Sequence, residues 1–176
     1  SAGISSIDRN AGYDRRMPVP PSPLSADELA FVCGPRSIYA ASCDAEHRLT
    51  LVRVLACRPC AEGDALELLF HSLQAAALLR SVADTARIAV VFSAPDTNKT
   101  LQLKGSDARI VPTPAYAERR ASAHERDFAA VVGPMGFSDE FVHALLRGSA
   151  EPLIAVRFTP QARFEQTPGP AAGERL

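Results

Sequence analysis

The sequence has no excess charge of either sign, no long apolar run and none of the common catalytic signatures. Its 19 Lys and Arg side chains nearly balance 20 Asp and Glu, leaving a formal charge of −1. That balance gives no basic footprint for nucleic acid and no cationic block for an anionic membrane. The longest apolar run, around Ala75 to Leu79, falls far short of a membrane span. No export pattern opens the chain, because Arg9, Arg15 and Arg16 are followed by prolines instead of an apolar stretch. With that pattern missing, the four cysteines (Cys33, Cys43, Cys57 and Cys60) are expected to be reduced, and the location to be cytoplasmic.

Glycine-rich nucleotide loops, H-E-x-x-H and G-x-S-x-G are all missing. Cys57-Arg-Pro-Cys60 is a C-x-x-C, but Cys57 closes a strand pattern where a redox pair needs a helix N-terminus. A zinc site needs a second ligand pair, and the other two cysteines are isolated. The pair reads as two thiols at a strand end. The four histidines, His47, His71, His124 and His143, are scattered, with no partner at metal-ligand spacing. His124 sits in ERRASAHERD, the pattern of a solvated helix face, and His143 at the edge of an apolar one.

What is present is one domain's worth of chain: 176 residues, 47% hydrophobic and 22% charged, as in an ordinary soluble globular protein. Residues 1–23 read as an extended arm with prolines at 18, 20, 21 and 23. Residues 24–164 form the domain, and 165–176 a Pro/Gly-rich tail. Ser25 and Glu28 make a capping box for a short helix that Gly34-Pro35 ends. Strands are expected over Arg36–Cys43, Arg48–Arg58, Ala65–Phe70, Arg87–Ser93, 99–112 and Leu153–Phe158. Helices are expected at 72–83, capped by Ser72, and at about 115–132 and 138–147. With one isolated helix inside the strand series, the pattern points away from a regular βαβ array and a doubly wound parallel sheet. The fold is read as mainly β with flanking helices (α+β), a closed or partly open antiparallel barrel.

Two features point to a ligand. Arg53 shares a period-two row with Leu49, Leu51, Leu55 and Cys57, so its guanidinium must reach out or meet a fixed anion. Thr100, Gln102 and Lys104 make a polar stripe opposite Leu101, Leu103 and Gly105. Such a stripe is either the wet side of a half-buried strand or the match for the polar edge of a flat heteroaromatic ligand.

In order, the capped helix, RSIYAASCD, TLVRVLACR, LELLF, ARIAVVFSAP and TLQLKG resemble the pyridoxamine 5′-phosphate oxidase-like, FMN-binding split-barrel family over about residues 28–112. The resemblance implies a split β-barrel in which the Arg53, Val54, Leu55 strand wraps a flavin. It sets Phe70, His71 and Ser72 near the ribityl phosphate, and Thr100, Gln102 and Lys104 near the ring or ribityl chain. It further implies a homodimer with the flavin between subunits and a flavin-dependent oxidoreductase of unknown substrate. Where the oxidases carry an Arg-Lys pair, Ala77 and Leu78 stand here, leaving the phosphate to Arg53, Ser72, Arg80 or Lys104. The alternatives are a non-catalytic flavin or haem module, with His71 or His143 as haem ligand, and a structural dimer with no cofactor. The helices at 115–147 are an insertion relative to the minimal fold.

Overall fold

A computed structural model describes residues 23–61, 63–148 and 150–176. Apart from Pro23, the proline-rich arm lies outside them. Helix α1 (Ala26–Cys33) forms where the capping box stands. Glu28 N donates to Ser25 Oγ at 3.2 Å and Ser25 N to Glu28 Oε2 at 2.8 Å, so two terminal amides are satisfied reciprocally.

Among the described residues, nine strands build two antiparallel sheets, an α+β arrangement. In the first, the order is β2 (Leu49–Arg53), β1 (Ser37–Cys43), β5 (Ile88–Ser93), β6 (Thr100–Gly105) and β9 (Ala162–Glu165). The second runs β3 (Ala56–Pro59), β4 (Leu66–His71), β8 (Leu153–Phe158) and β7 (Arg109–Val111). Helices α2 (Ala76–Thr85), α3 (Ala117–Val132) and α4 (Asp139–Arg147) complete the fold.

The long strand expected over Arg48–Arg58 is two strands in two sheets. The handover falls between consecutive amides: Val54 N donates to Ile38 O in the first sheet at 3.0 Å, and Leu55 N to Leu69 O in the second at 2.8 Å. Arg53 therefore shares its face with Leu49 and Leu51, which are exposed, and not with the buried Leu55 and Cys57. The strand expected over 99–112 likewise divides into β6 and β7. Gly105 ends the first part, and a Cβ there would lie 2.7 Å from Thr159 O and 2.8 Å from the Phe158 ring.

Inner faces of both sheets meet in one core. Ile38, Ala40, Val90, Phe92 and Leu103 enter it from the first sheet, and Leu66, Leu68, Phe70, Val156 and Phe158 from the second. Phe31 and Val32 of α1 and Leu78 and Val82 of α2 join it. The second sheet is covered on its outer side as well: Ala117 and Ala121 of α3 pack on Leu55, Ala56, Leu69 and Ala155. That is why β4 is buried along its whole length.

Two local expectations change. Ser72 does not cap α2, whose N-cap is Ala75 with no side-chain bond. His124 is buried, its Nε2 3.1 Å from Arg36 O and its ring stacked on Phe128, because it falls on the Ala117, Ala121, Phe128, Val132 stripe of α3. Residues 162–165 form β9, and the chain folds back along it through Glu165 N to Glu174 O and Leu176 N to Arg163 O.

Candidate functional site

The outer face of the first sheet is built in register. Directly paired residues point to the same side, so Ser37, Ser93 and Thr100 line up across β1, β5 and β6. The next row is Arg53, Tyr39, Val91, Gln102 and Phe164, and the one after it Leu51, Ala41, Ala89, Lys104 and Ala162. Alternation along each strand sends the intervening residues into the core.

At the Ser37 end of this face lies a cavity of ≈ 410 Å³. One wall is the sheet, with Ser37, Arg53, Ser93 and Thr100; a second is the turn carrying Pro95 and Asn98. The opposite wall is apolar and comes from the helical pair: Phe128 and Val132 of α3, Phe137 before α4, and Phe141 and Leu145 on α4. Ser138 starts α4 by accepting from Phe141 N at 3.2 Å. The helix then buries Val142 and Leu146 against α3, which leaves Phe141 and Leu145, one turn apart, toward the cavity. The Phe137 and Phe141 ring centroids are 5.2 Å apart.

Arg53 supplies the charge. Its Cζ lies 4.4 Å from the centroid of the Tyr39 ring, Nη1 donates to Ser37 Oγ at 3.4 Å, and Nη2 donates to the Tyr39 hydroxyl. Among the described residues no carboxylate pairs with it. Thr100 Oγ1 donates to Asn98 O at 3.0 Å and is 3.0 Å from Ser93 Oγ. A guanidinium, three hydroxyls and an aromatic wall thus surround one space. The arrangement fits a flat ring with an acidic group at one end.

Of the residues expected at a site, the structure brings Arg53 and Thr100 together at this cavity. Gln102 lies between Val91 and Phe164 on the same sheet face. Lys104 is two rows from Thr100, its Nζ 4.7 Å from the Phe164 ring centroid, beside a second cavity of ≈ 360 Å³ that Arg87 also lines. Val54, Leu55 and Phe70 are core. The signal for Ser37 and Ser93 was in the alternation of β1 and β5. Phe141 and Leu145 were legible as an i, i+4 apolar pair, but not their neighbour across the cavity.

The junction at Phe70, His71 and Ser72 is closed by the chain itself. His71 is buried with Nε2 3.0 Å from Leu146 O, and Ser72 N donates to Pro152 O at 3.0 Å. Beyond them, Leu73 N and Gln74 N donate to Glu151 Oε2 at 2.7 and 3.1 Å. An internal carboxylate therefore already holds the amides ahead of α2, and the helix starts with Ala76, Ala77 and Leu78. These residues do not fit a phosphate. Nor do the two histidines fit haem at the cavity: His71 is tied to Leu146, and His143 Nδ1 is 2.8 Å from Glu125 on the side of α4 away from Phe141. No histidine, cysteine or methionine is among the residues that line the cavity.

No protein-family model matches the sequence, and no curated protein matches it. Solved structures do match. HupZ of Group A Streptococcus is similar with a TM-score of 0.51 at 15% identity, over 85% of this chain and 100% of that one. An F420 reductase is similar with a TM-score of 0.50 at 14% identity, over 80% and 98%. A pyridoxamine 5′-phosphate oxidase-related, FMN-binding protein of Nostoc punctiforme gives 0.43 at 12% identity, over 78% and 77%. The likeness to HupZ and to the F420 reductase is one of fold: two antiparallel sheets with flanking helices, the split barrel expected from the order of motifs. No described helix is long and apolar enough to cross a membrane.

Proposed function

We propose that this chain binds a flavin-type cofactor, FMN being the first candidate, in the cavity between the first sheet and α4, and that it is a flavin-dependent oxidoreductase. The observation that carries the reading is Arg53: its guanidinium is held by two hydroxyls and an aromatic face, has no carboxylate partner among the described residues, and opens on an apolar cavity. Arg53 is the residue to receive the phosphate. Ser93 and Thr100 offer hydroxyls to the polar edge of a ring, and Phe137, Phe141 and Leu145 pack on its face and exclude water. When bound, a flavin supplies the electron and hydride chemistry, so no protein nucleophile is needed.

The same reading makes the protein a homodimer. Leu49 and Leu51 are 79% and 67% exposed, and with Tyr39, Val91 and Phe164 they form the apolar part of a sheet face, shared with Gln102 and Lys104, that the described helices leave open. A second copy on that face places the cavity beside the subunit boundary. A cytoplasmic location belongs to this proposal as well.

One observation favours a second reading, a structural dimer without cofactor: Glu151 fills the amides at the strand-to-helix junction. An absorption spectrum of the purified protein, before and after excess FMN and desalting, separates the two. A retained two-band flavin spectrum, lost in Arg53→Ala, supports the first. A colourless protein that releases added FMN overturns it.

A further inference from the structure

The C-x-x-C of the sequence does not form a pair, because strand alternation sends its two thiols to opposite sides. Cys57 points into the core from β3. Cys60 lies beyond the strand, among Arg157, Glu67 and Arg58 on the outer side of the second sheet. The cysteine beside Cys57 is Cys33, at the end of α1 and 24 positions away in sequence, packed against the cluster that holds Cys57 and close enough for the two thiols to interact.

Arg120 fixes this meeting. Its Nη2 donates to Cys33 O and Cys57 O, both at 2.8 Å, so one guanidinium nitrogen from α3 clamps both backbones. Both side chains belong to one packed cluster, Cys57 fully buried within it and Cys33 half-buried against it. Oxidants thus reach the pair through Cys33. The charges agree with that order. The Cys57 contact and the Arg120 and Arg58 guanidinium groups pull the Cys33 thiol below its ordinary range, against some desolvation, whereas burial pushes the Cys57 thiol well up.

We propose that Cys33 and Cys57 are a redox pair, closing a reversible disulfide on exposure to a hydroperoxide, with Cys33 attacking first and Cys57 resolving. In the first step the Cys33 thiolate attacks one peroxide oxygen, the O–O bond breaks, and hydroxide leaves and is protonated to water. Cys33 becomes a sulfenic acid. In the second, Cys57 sulfur attacks Cys33 Sγ, the S–O bond breaks, and the departing hydroxide takes the Cys57 proton. Two thiols lose two electrons and one hydrogen peroxide becomes two waters. The product ties the end of α1 to β3, three residues after Val54 leaves the first sheet. A dithiol reductant reverses it by thiol–disulfide exchange.

The test is peptide mapping of the full-length protein after one equivalent of hydrogen peroxide under native conditions, with free thiols alkylated and the digest kept non-reducing. No cofactor is needed, so the result is independent of the flavin reading. The expected product is a Cys33–Cys57 linked peptide, abolished in Cys33→Ser, unchanged in Cys60→Ser and removed by dithiothreitol. A Cys57–Cys60 link, or Cys33 carried to sulfinic acid with Cys57 still alkylatable after unfolding, overturns the proposal. So does a wild-type map without any link. The wild-type map decides even where a Cys57 variant fails to fold.

Discussion

Arg53 lies over the ring of Tyr39, its cross-strand partner, and donates to that ring's hydroxyl. The stack holds a cation at the edge of an apolar space without neutralising it. An Arg53→Ala variant keeps the core intact, because the side chain is outside it, and loses a charged hydrogen bond worth about 1.5–3 kcal/mol. FMN affinity is expected to fall about 10- to 100-fold, read by quenching of flavin fluorescence. Ser72→Ala, at the closed junction, is expected to leave it unchanged.

Leu51 tests the dimer. Leu51→Glu places a carboxylate on the edge strand of the open sheet face, where a second copy would bury it unpaired. Light scattering after gel filtration is expected to show the variant as a monomer where the wild type is a dimer. A wild-type monomer at micromolar concentration contradicts the proposed assembly.

His124 makes stability depend on pH. Burial, foremost, holds its pKa down at about 4, against 6.5 for an exposed ring. Between those values the unfolded chain binds a proton that the folded chain does not. Stability is therefore expected to be level in this respect above pH 6.5 and to fall as the pH drops toward 4, by an amount on the order of 3 kcal/mol. Urea denaturation at pH 7, 5.5 and 4.5 checks it, and His124→Gln is expected to remove much of the slope.

Glu151 is predicted to keep anions off α2. In Glu151→Ala the Leu73 and Gln74 amides lose their acceptor, and stability is expected to drop by about 1–3 kcal/mol. Inorganic phosphate is then expected to shift those two amide resonances in the variant and leave them unmoved in the wild type. Equal shifts in both proteins contradict the idea that the carboxylate fills the site.

What the sequence disclosed and what it concealed follow from where the deciding contacts lie. The α1 cap is a matter of four consecutive residues, and β8 runs from Leu153 to Phe158 as expected because Pro152 bounds it. The alternation of β6 was legible for the same reason, in Leu101 and Leu103 against Thr100 and Gln102. The break after Arg53 was not, since apolar residues continue through it and only distant partners, Ile38 and Leu69, tell the two halves apart. The site was half legible. Arg53 and Thr100 stand out by their chemistry, but the wall facing them, from Phe128 to Leu145, comes from helices 28 to 45 residues after Thr100 and 75 to 92 after Arg53. Charged neighbours hid His124, although its spacing from Ala117, Ala121 and Phe128 was helical throughout.

The fold-back of the chain along β9 has a consequence for assembly. Sheets grow by adding strands to bare edges, and Glu165, Arg163 and the Phe164–Arg175 bridge already use one edge of the first sheet internally. The other edge, β2, remains. Among the described residues this sheet has a single free edge and nowhere to pass a second neighbour on, so edge-to-edge joining through it stops at two copies.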